Sequence, residues 1–363
     1  MSTHRLVAAT AALAVAGSLA GTASFAAASP DAAAKPTVTV VAKPYLSPLS
    51  VAQAPDGTRW WTDDFAAQLW KQAPGGQPVL AYQGDPKAGV ESVSADGGVL
   101  RFTTGAEDNS AGKLMTLDAA GNPVQLADLH AHEKASNPDR KFTYGLLKTP
   151  KKCQDLLSPA SSLFTYKGVV ESHPYATASA NGVTYVADAG ANAIWAVSAT
   201  GVVSTVAAIK PAKVRVTKKV QLSADLPPCM LGKKIALESV PTDVEVGPGG
   251  ALYVTTLGGG PEDGSLGYNG RISRIDPATG TVTTLSKGYA SLTGIAVSPA
   301  GDIYAADLFM GAILTIPAGR KNARTYVEAK FPGAVEWTPT GLLATIKALP
   351  GKKPKGQVVT ITP

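Results

Sequence analysis

The sequence has little charge, few aromatic residues and almost no cysteine. Charged residues make up 17% of its 363 residues and aromatic residues 6%, and there are 2 cysteines. So low a charge content excludes a coiled coil or a long helical bundle, which need Glu, Lys and Arg in quantity. After the N-terminus, no apolar run is long enough to span a bilayer. Gly (37) and Pro (27) are plentiful beside recurring Val, Leu, Ile and Tyr, which favours a soluble β-rich protein over a disordered chain.

The N-terminus has the pattern of an export signal. A short segment with His4 and Arg5 precedes an uncharged run from Leu6 to Ala20, and small residues follow up to Ala28. The uncharged run is short for a membrane anchor and leads into an A-x-A-like cleavage site. We therefore expect a signal peptide over residues 1–28, cleavage near Ala28, a flexible mature N-terminus over 29–36 and a secreted protein without a transmembrane segment.

Export would place both cysteines in an oxidising compartment. Cys153 and Cys229 are even in number, and neither belongs to a C-x-x-C pair, which disfavours zinc and thioredoxin-like chemistry. A single Cys153–Cys229 disulfide is predicted, with two free thiols as the alternative.

Six copies of one unit recur along the chain. Each copy has a short strand, a turn containing Gly and a second strand that usually carries an aromatic residue; the second copy departs from this with Arg101. Two further alternating runs follow, so each unit predicts four antiparallel strands. Such units, repeated about an axis, are the blades of a β-propeller. The copies start at Ser50, Glu91, Tyr175, Asp243, Gly294 and Ala334.

The sixth copy supplies only three strands before the chain ends. The run Thr37-Val-Thr-Val-Val41 could supply the fourth, which would remove exposed sheet edges. We therefore predict an all-β fold over residues 37–363, a six-bladed β-propeller in which the N-terminal strand completes the last blade. Crossover insertions are expected at about 130–170 and 208–238.

The repeats and several longer motifs resemble known families. Tyr185-Val-Ala-Asp-Ala-Gly-Ala-Asn192 with Ile194 resembles an NHL-type blade. The wider set of motifs resembles the ScyD/ScyE family, secreted proteins abundant in actinobacteria and named after products of a scytonemin biosynthesis cluster. This resemblance implies a secreted propeller and no established reaction; a scaffold role in secondary-metabolite assembly rests on the family name alone. The motifs are His173-Pro-Tyr175, Asn137-Pro-Asp139, Asp276-Pro-Ala-Thr-Gly280, and residues 240–246 and 255–267.

In a propeller, the long segments of this chain would fall on one face, and they are basic. Segments 130–170, 208–238 and 347–356 carry net charges of +4, +5 and +4, against +6 for the whole chain. Such a face should attract an anionic partner, less so at high salt. The alternative is that these lysines are only solvated. The predicted basic face comprises Lys151, Lys152, Lys218, Lys219, Lys352 and Lys353.

The first strands of the blades would enter the central channel from the same face. Glu91, Asp243 and His173 form a possible metal set if they converge, although polar channel walls are also ordinary. Tyr175 would stand beside them. Glu262 and Asp263, in the Gly-rich loop over 258–268, could bind calcium, but their spacing lacks the alternation of an EF-hand.

Other polar and aromatic residues have ordinary structural interpretations. The aspartates that follow second strands are interpreted as turn caps that accept local backbone N–H groups. The tryptophans and tyrosines of the second strands, and Trp337, are interpreted as packing between blades. His130 and His132, beside Glu133, are interpreted as solvated. The aspartates are Asp63, Asp188 and Asp307, and the second-strand aromatics are Trp60, Trp61, Tyr185, Tyr253 and Tyr304.

Motifs of common enzyme classes are absent. The sequence contains no G-x-S-x-G, H-E-x-x-H, Walker loop or Rossmann fingerprint, and no nucleic-acid-binding motif. We therefore expect a monomeric, non-catalytic propeller without a cofactor, which binds an anionic cell-surface polymer, a glycan or a protein through its basic face. The alternative is a metal-dependent lactonase- or lyase-like enzyme that uses a divalent cation at the channel mouth, which rests on fold analogy.

Overall fold

The computed structural model describes residues 35–158, 161, 163–261 and 263–363. Most of these residues form antiparallel strands, with three short α-helices and several 3₁₀ turns between them. The predicted signal peptide, its cleavage site and residues 29–34 lie outside the described residues. The helices are α1 (Leu129–Ser136), α2 (Lys151–Gln154) and α3 (Lys218–Ser223), and the 3₁₀ turns are Asp64–Ala66, Asp96–Gly98, Pro138–Lys141, Pro228–Met230 and Pro248–Gly250.

The strands of the described residues form seven four-stranded sheets. The first strand of the described residues is β1 (Thr37–Tyr45), which belongs to the sixth sheet. The first sheet contains β2 (Val51–Gln53), β3 (Arg59–Asp63), β4 (Gln68–Gln72) and β5 (Val79–Gln83), and the second contains β6 (Ala88–Ser94), β7 (Arg101–Ala106), β8 (Gly112–Leu117) and β9 (Pro123–Asp128). The third contains β12 (Pro174–Ala180), β13 (Val183–Asp188), β14 (Ala193–Ser198) and β15 (Val203–Ala208).

The C-terminal half continues the same pattern. The fourth sheet contains β18 (Pro241–Val246), β19 (Leu252–Thr256), β20 (Gly270–Asp276) and β21 (Thr281–Tyr289), and the fifth contains β22 (Leu292–Val297), β23 (Ile303–Asp307), β24 (Ala312–Ile316) and β25 (Arg324–Glu328). The sixth contains β26 (Val335–Thr338), β27 (Gly341–Ile346), β28 (Gly356–Thr362) and β1. Each of these six sheets begins with one of the six predicted repeats.

Short glycine turns set the register of these hairpins. Between β12 and β13, Asn181 and Gly182 have φ values of 52° and 76°, and Ala180 pairs directly with Val183. Two successive left-handed residues form the two-residue turn that matches the twist of antiparallel strands. The Asn-Gly pair therefore places the alternating residues of both strands on the faces that neighbouring sheets cover.

The second-strand aromatic residues pack between adjacent sheets, as predicted. Tyr185 of the third sheet packs with Val254 and Ile275 of the fourth, and Tyr253 of the fourth packs with Ile303 of the fifth. Trp61 is fully buried with β1 and sixth-sheet residues, and Tyr304 and Trp337 share another cluster between the fifth and sixth sheets. The apolar core is thus divided among the spaces between the sheets.

The innermost strands contact one another in cyclic order. The order is β2, β6, β12, β18, β22, β26 and again β2. Strand β1 pairs with β28 in antiparallel register, from Thr37 opposite Thr362 to Tyr45 opposite Gly356. No helix within the described residues is long and apolar enough to cross a membrane.

The two crossovers combine into one accessory sheet. Its strands are β10 (Thr143–Leu147), β11 (Tyr166–Lys167), β16 (Ala212–Arg215) and β17 (Lys234–Leu237), in the order β11-β10-β17-β16. The predicted disulfide is confirmed: Cys153 and Cys229 are bonded, and Cys153 packs in the apolar cluster beneath this sheet. The accessory sheet was not predicted from the sequence, because its strands come from segments far apart in the chain.

Candidate functional site

A narrow cavity lies where the six innermost strands meet. Each of them contributes lining residues, including Ala52, Ser94, Tyr175, Asp243 and Glu336. Its internal volume is about 20 Å³, enough for about one water molecule. The central cavity is therefore too small for an organic ligand.

Burial raises the pKa of each carboxyl group that lines this central cavity. Burial raises the pKa of Asp243 to about 8. The hydrogen bonds that its carboxylate accepts from the backbone N–H groups of Ile295 (2.6 Å) and Val244 (2.8 Å) oppose this shift. Glu245 and Glu336 are hydrogen-bonded to each other; burial raises the pKa of Glu336 to about 8 and that of Glu245 well above its ordinary value. The sequence analysis missed this pair, although both residues occupy the third position of their repeats.

A second group of polar residues stands where β12 enters the channel. We call Asp64, Glu91, Asn109 and His173 the mouth cluster. The Nδ1 atom of His173 lies 3.1 Å from Oδ1 of Asn109 and 3.7 Å from Oε1 of Glu91. The His173 ring centre is 5.8 Å from that of Tyr175, which connects the mouth cluster to the central cavity.

Two carboxylates of the mouth cluster have an oxygen without a partner. These buried atoms are Oδ1 of Asp64 and Oε2 of Glu91. Burial, followed by the charge of Asp63, raises the pKa of Asp64 to about 7; burial, followed by the charges of Asp64 and Asp188, raises that of Glu91 well above its ordinary value. Unpaired buried carboxylates are costly, so this pair favours either a bound proton or a bound cation.

Glycines allow the two carboxylates to approach the strands. A Cβ atom at Gly89 would collide with the Asp64 carboxylate and lie 3.3 Å from Cγ of Glu91. A Cβ atom at Gly105 would collide with the Glu91 carboxylate. Asp64 and Glu91 thus face the same small space, and side chains at either glycine would fill it.

Asp188 fixes the backbone that carries His173. It accepts hydrogen bonds from His173 N–H and Ser172 Oγ (2.7 Å each), Ala191 N–H and Trp195 Nε1 (3.1 Å each). Burial lowers the pKa of His173, and the charge of Asp188 opposes this shift as the smaller effect. The imidazole is therefore held in place and kept largely neutral near pH 7.

The interpretation of three aspartates as local turn caps needs correction. Asp63 accepts from the N–H groups of Leu46 and Ser47, and Asp307 accepts from Ser291. These donors lie 16 or 17 residues earlier, because the end of each second strand stands beside the start of its first strand. The aspartates therefore clamp the crossovers, while Asp188 and Asp307 each also make the predicted local cap, accepting from the N–H groups of Ala191 and Met310.

Helix α1 contains a further buried carboxyl group, that of Glu133. Glu133 is fully buried, and neither of its carboxylate oxygens has a hydrogen-bond partner. Burial, followed by the charges of Asp188 and Asp139, raises its pKa to about 8. The interpretation of His132 as simply solvated is wrong, because its ring packs edge-on against Trp195 at 4.9 Å and Nε2 lies 3.1 Å from Thr205 Oγ1.

The predicted metal set does not assemble. Glu91 and His173 are neighbours, but Asp243 lines the central cavity and is committed to backbone N–H groups of β18 and β22. Within the described part of the chain, no group of three or more His, Cys, Asp or Glu side chains is arranged to hold a metal ion. Asp263 is exposed and accepts from Ser265 N–H, and Glu262 lies outside the described residues.

The lysines of the predicted basic face are exposed and spread over helix α2, helix α3 and the loop between β27 and β28. Lys151 pairs with Asp155 at 2.6 Å, and Lys218 donates to Gln221 at 2.9 Å. Lys152, Lys219, Lys352 and Lys353 are also exposed. None of the six lines the central cavity.

No protein-family model and no curated protein matches this chain. Solved structures match its fold. Virginiamycin B lyase from Staphylococcus aureus has a TM-score of 0.51 and 13% identity, covering 91% of this chain and 99% of that one. The calcium-binding protein regucalcin from Agrobacterium tumefaciens has a TM-score of 0.51 and 14% identity, covering 90% of this chain and 93% of that one. A gluconolactonase from Xanthomonas campestris has a TM-score of 0.52 and 10% identity, covering 90% of each chain.

Likeness at such low identity is evidence of the fold. The chain has the β-propeller architecture, and its antiparallel four-stranded sheets match those of the propeller neighbours. The finer resemblance to NHL-type blades and to the ScyD/ScyE family stays a prediction.

Proposed function

We propose that this protein is an enzyme of lactonase or lyase type whose reactive group is His173 in the mouth cluster. The observation that carries the proposal is a partly exposed imidazole beside Glu91, a carboxylate that, like its neighbour Asp64, has a buried oxygen without a partner. Perturbed, poorly compensated groups at the mouth of a channel are typical of active sites. A lyase and a gluconolactonase among the structural neighbours support the same class of reaction.

The arrangement of His173 suits general acid–base catalysis. If Nδ1 donates to Oδ1 of Asn109, then Nε2 carries the free lone pair of the neutral ring and can act as the base. In the opening of a cyclic ester, this nitrogen takes a proton from water or from the carbon beside the ester, and returns it to the leaving oxygen. Glu91 and Asn109 act as positioning residues, since both stand at the other ring nitrogen.

Asp64 and Glu91 fit a divalent cation that keeps most of its own water. Magnesium is usually bound by one or two protein carboxylates, so the lack of a three-residue metal group does not conflict with such a site. The two unpartnered oxygens and the glycine-lined space would hold the ion. When bound, it would polarise the substrate carbonyl. The calcium-binding neighbour supports a divalent cation of this kind.

Two measurements test the site. Initial rates of proton release from glucono-1,5-lactone and δ-valerolactone should fall by about a hundredfold or more in His173→Ala. Asn122→Ala, an exposed turn residue in the same sheet as Asn109, should leave them unchanged. Unaltered lactone hydrolysis by His173→Ala would refute the proposal for His173.

Cation binding is tested separately. Calorimetric titration with Mg²⁺ and with Ca²⁺ should give binding to the native protein and none to Asp64→Asn/Glu91→Gln, while Asp243→Asn should still bind. Equal binding by the double variant would place the ion elsewhere.

The same proposal includes six blades closed by the N-terminal strand. The cyclic contacts of six innermost strands and the pairing of β1 with β28 support it, with the accessory sheet as an addition built from the crossovers. We further propose that the protein is exported after cleavage near Ala28 and acts as a monomer. Mass spectrometry of the mature N-terminus and light scattering would test these two points.

A further inference from the structure

A large groove beside the fourth sheet is lined by positive charge. It has a volume of about 980 Å³ and lies between the accessory sheet and strands β20 and β21. We define the basic groove by the five cations that line it, and no acidic side chain is among its lining residues. They are Lys141, Lys210, Lys213, Arg271 and Lys287.

The groove continues into an adjoining cavity of about 550 Å³. Lys141, Lys210 and Arg271 line both cavities. The second cavity is otherwise lined mainly by hydroxyl-bearing and small residues of β15, β20 and β21, among them Thr205, Ser273 and Thr281, and again by no acid. The combined shape is extended, and it offers cations and hydrogen-bonding groups along its length.

Among the described residues, no carboxylate pairs with a cation of the basic groove. The ion pairs of the described residues are Lys151–Asp155 and His173–Glu91, so no carboxylate lies within salt-bridge distance of any groove cation. Arg271 donates from Nη2 to the Lys210 carbonyl at 2.9 Å, while its buried Nε has no partner. A partly buried guanidinium without a carboxylate is unusual, because charged groups removed from water need a partner.

The aromatic content of the groove narrows the choice of anion. Lys141 Nζ lies 5.4 Å from the Phe142 ring centre, so a cation already covers one face of that ring. Tyr268 is 53% exposed and is the other aromatic residue in the lining. Single-stranded nucleic acids need a series of stacking rings, which one exposed tyrosine does not supply. A recessed groove also suits a chain better than a flat membrane surface.

We propose that the basic groove binds a linear anionic polysaccharide, with its carboxylate or sulfate groups at the five cations and one sugar ring against Tyr268. Threonine, serine and asparagine side chains of the lining would bond the sugar hydroxyls. This site is separate from the mouth cluster, and it differs from the six lysines expected from the sequence.

The test uses exposed lysines whose replacement should not disturb the fold. In Lys210→Glu/Lys287→Glu, both altered residues line the groove. In the control Lys352→Glu/Lys353→Glu, the same change of charge is made on an exposed loop outside it. Affinity for a heparin oligosaccharide and for oligogalacturonate is measured at low and at physiological salt, and melting temperature checks folding.

The native protein and the control should bind at least one of the two oligosaccharides, more weakly at higher salt. The groove variant should lose about tenfold or more in affinity, as expected when two ionic contacts become repulsive. Absence of binding at low salt, or equal losses in both variants, would overturn the proposal. So would tighter binding of oligothymidylate or of anionic vesicles. Lactone hydrolysis by the groove variant should equal that of the native protein, so this test is independent of the mouth cluster.

Discussion

Glu133 offers a direct measure of what an uncompensated buried carboxyl group costs this fold. It is fully buried, both oxygens are unpartnered, and burial raises its pKa from 4.5 to about 8. Above pH 4.5 the unfolded chain loses this proton while the folded chain keeps it until about pH 8. The contribution of Glu133 to stability is therefore most favourable at low pH and falls as pH rises through that interval. At about 1.36 kcal/mol per pKa unit, the loss is of the order of 5 kcal/mol.

Glu133→Gln keeps the size of the side chain and removes the charge. At pH 9 we expect the variant to be more stable than the native protein by up to about 5 kcal/mol. At pH 5 it should be equal or less stable by about 1 kcal/mol, since its amide donors are also unpaired. Urea unfolding at both pH values measures this, with exposed Glu107→Gln as the control. A difference that is the same at pH 5 and pH 9 would show that the Glu133 charge is already compensated.

Three other perturbations have defined outcomes. Replacing Cys153 and Cys229 by Ser opens a loop with a sequence separation of 76 residues, and should lower the free energy of unfolding by about 4 kcal/mol in guanidinium titrations. Glu336→Gln should reduce the fall in melting temperature between pH 6 and pH 9, because Glu245 then no longer faces a second ionisable carboxyl; an unchanged pH dependence would contradict the pairing. Deleting residues 37–41 should lower the melting temperature measured by circular dichroism, since β28 loses its partner; an unchanged value would argue against closure by β1.

The sheets were predictable because their signals are local. In the third repeat, the Asn181-Gly182 turn sets the pairing of Ala180 with Val183 without help from distant residues. The accessory sheet has no such signal. Gly145 pairs with Ala236 across a long separation, and the crossovers that carry them contain prolines and lysines that read as loops. Only packing of the two crossovers on each other gives these short strands a partner.

The mouth cluster could be predicted only in part. Glu91 and His173 were identified because both start or precede a first strand, which places them at one end of the channel. Asp64 and Asn109 belong to connections after second strands, and nothing local in the sequence distinguishes them from ordinary turn residues. Asp243 starts its predicted repeat in the same way as Glu91, yet its carboxylate accepts from Ile295 N–H. Equivalent repeat positions thus acquire different roles from the neighbouring sheet, which one repeat cannot reveal.

The fold also decides which positive charges come together in the basic groove. The crossovers supply Lys141, Lys210 and Lys213, and their excess of positive charge is evident from the sequence. Counted alone, however, that excess does not distinguish scattered solvated lysines from a binding surface. The distinction comes from Arg271 and Lys287, which β20 and β21 bring to the same cavity without an acidic neighbour. Because like charges repel at such proximity, a groove of this kind is stabilised by an anion that fills it, whereas dispersed surface lysines gain little from one.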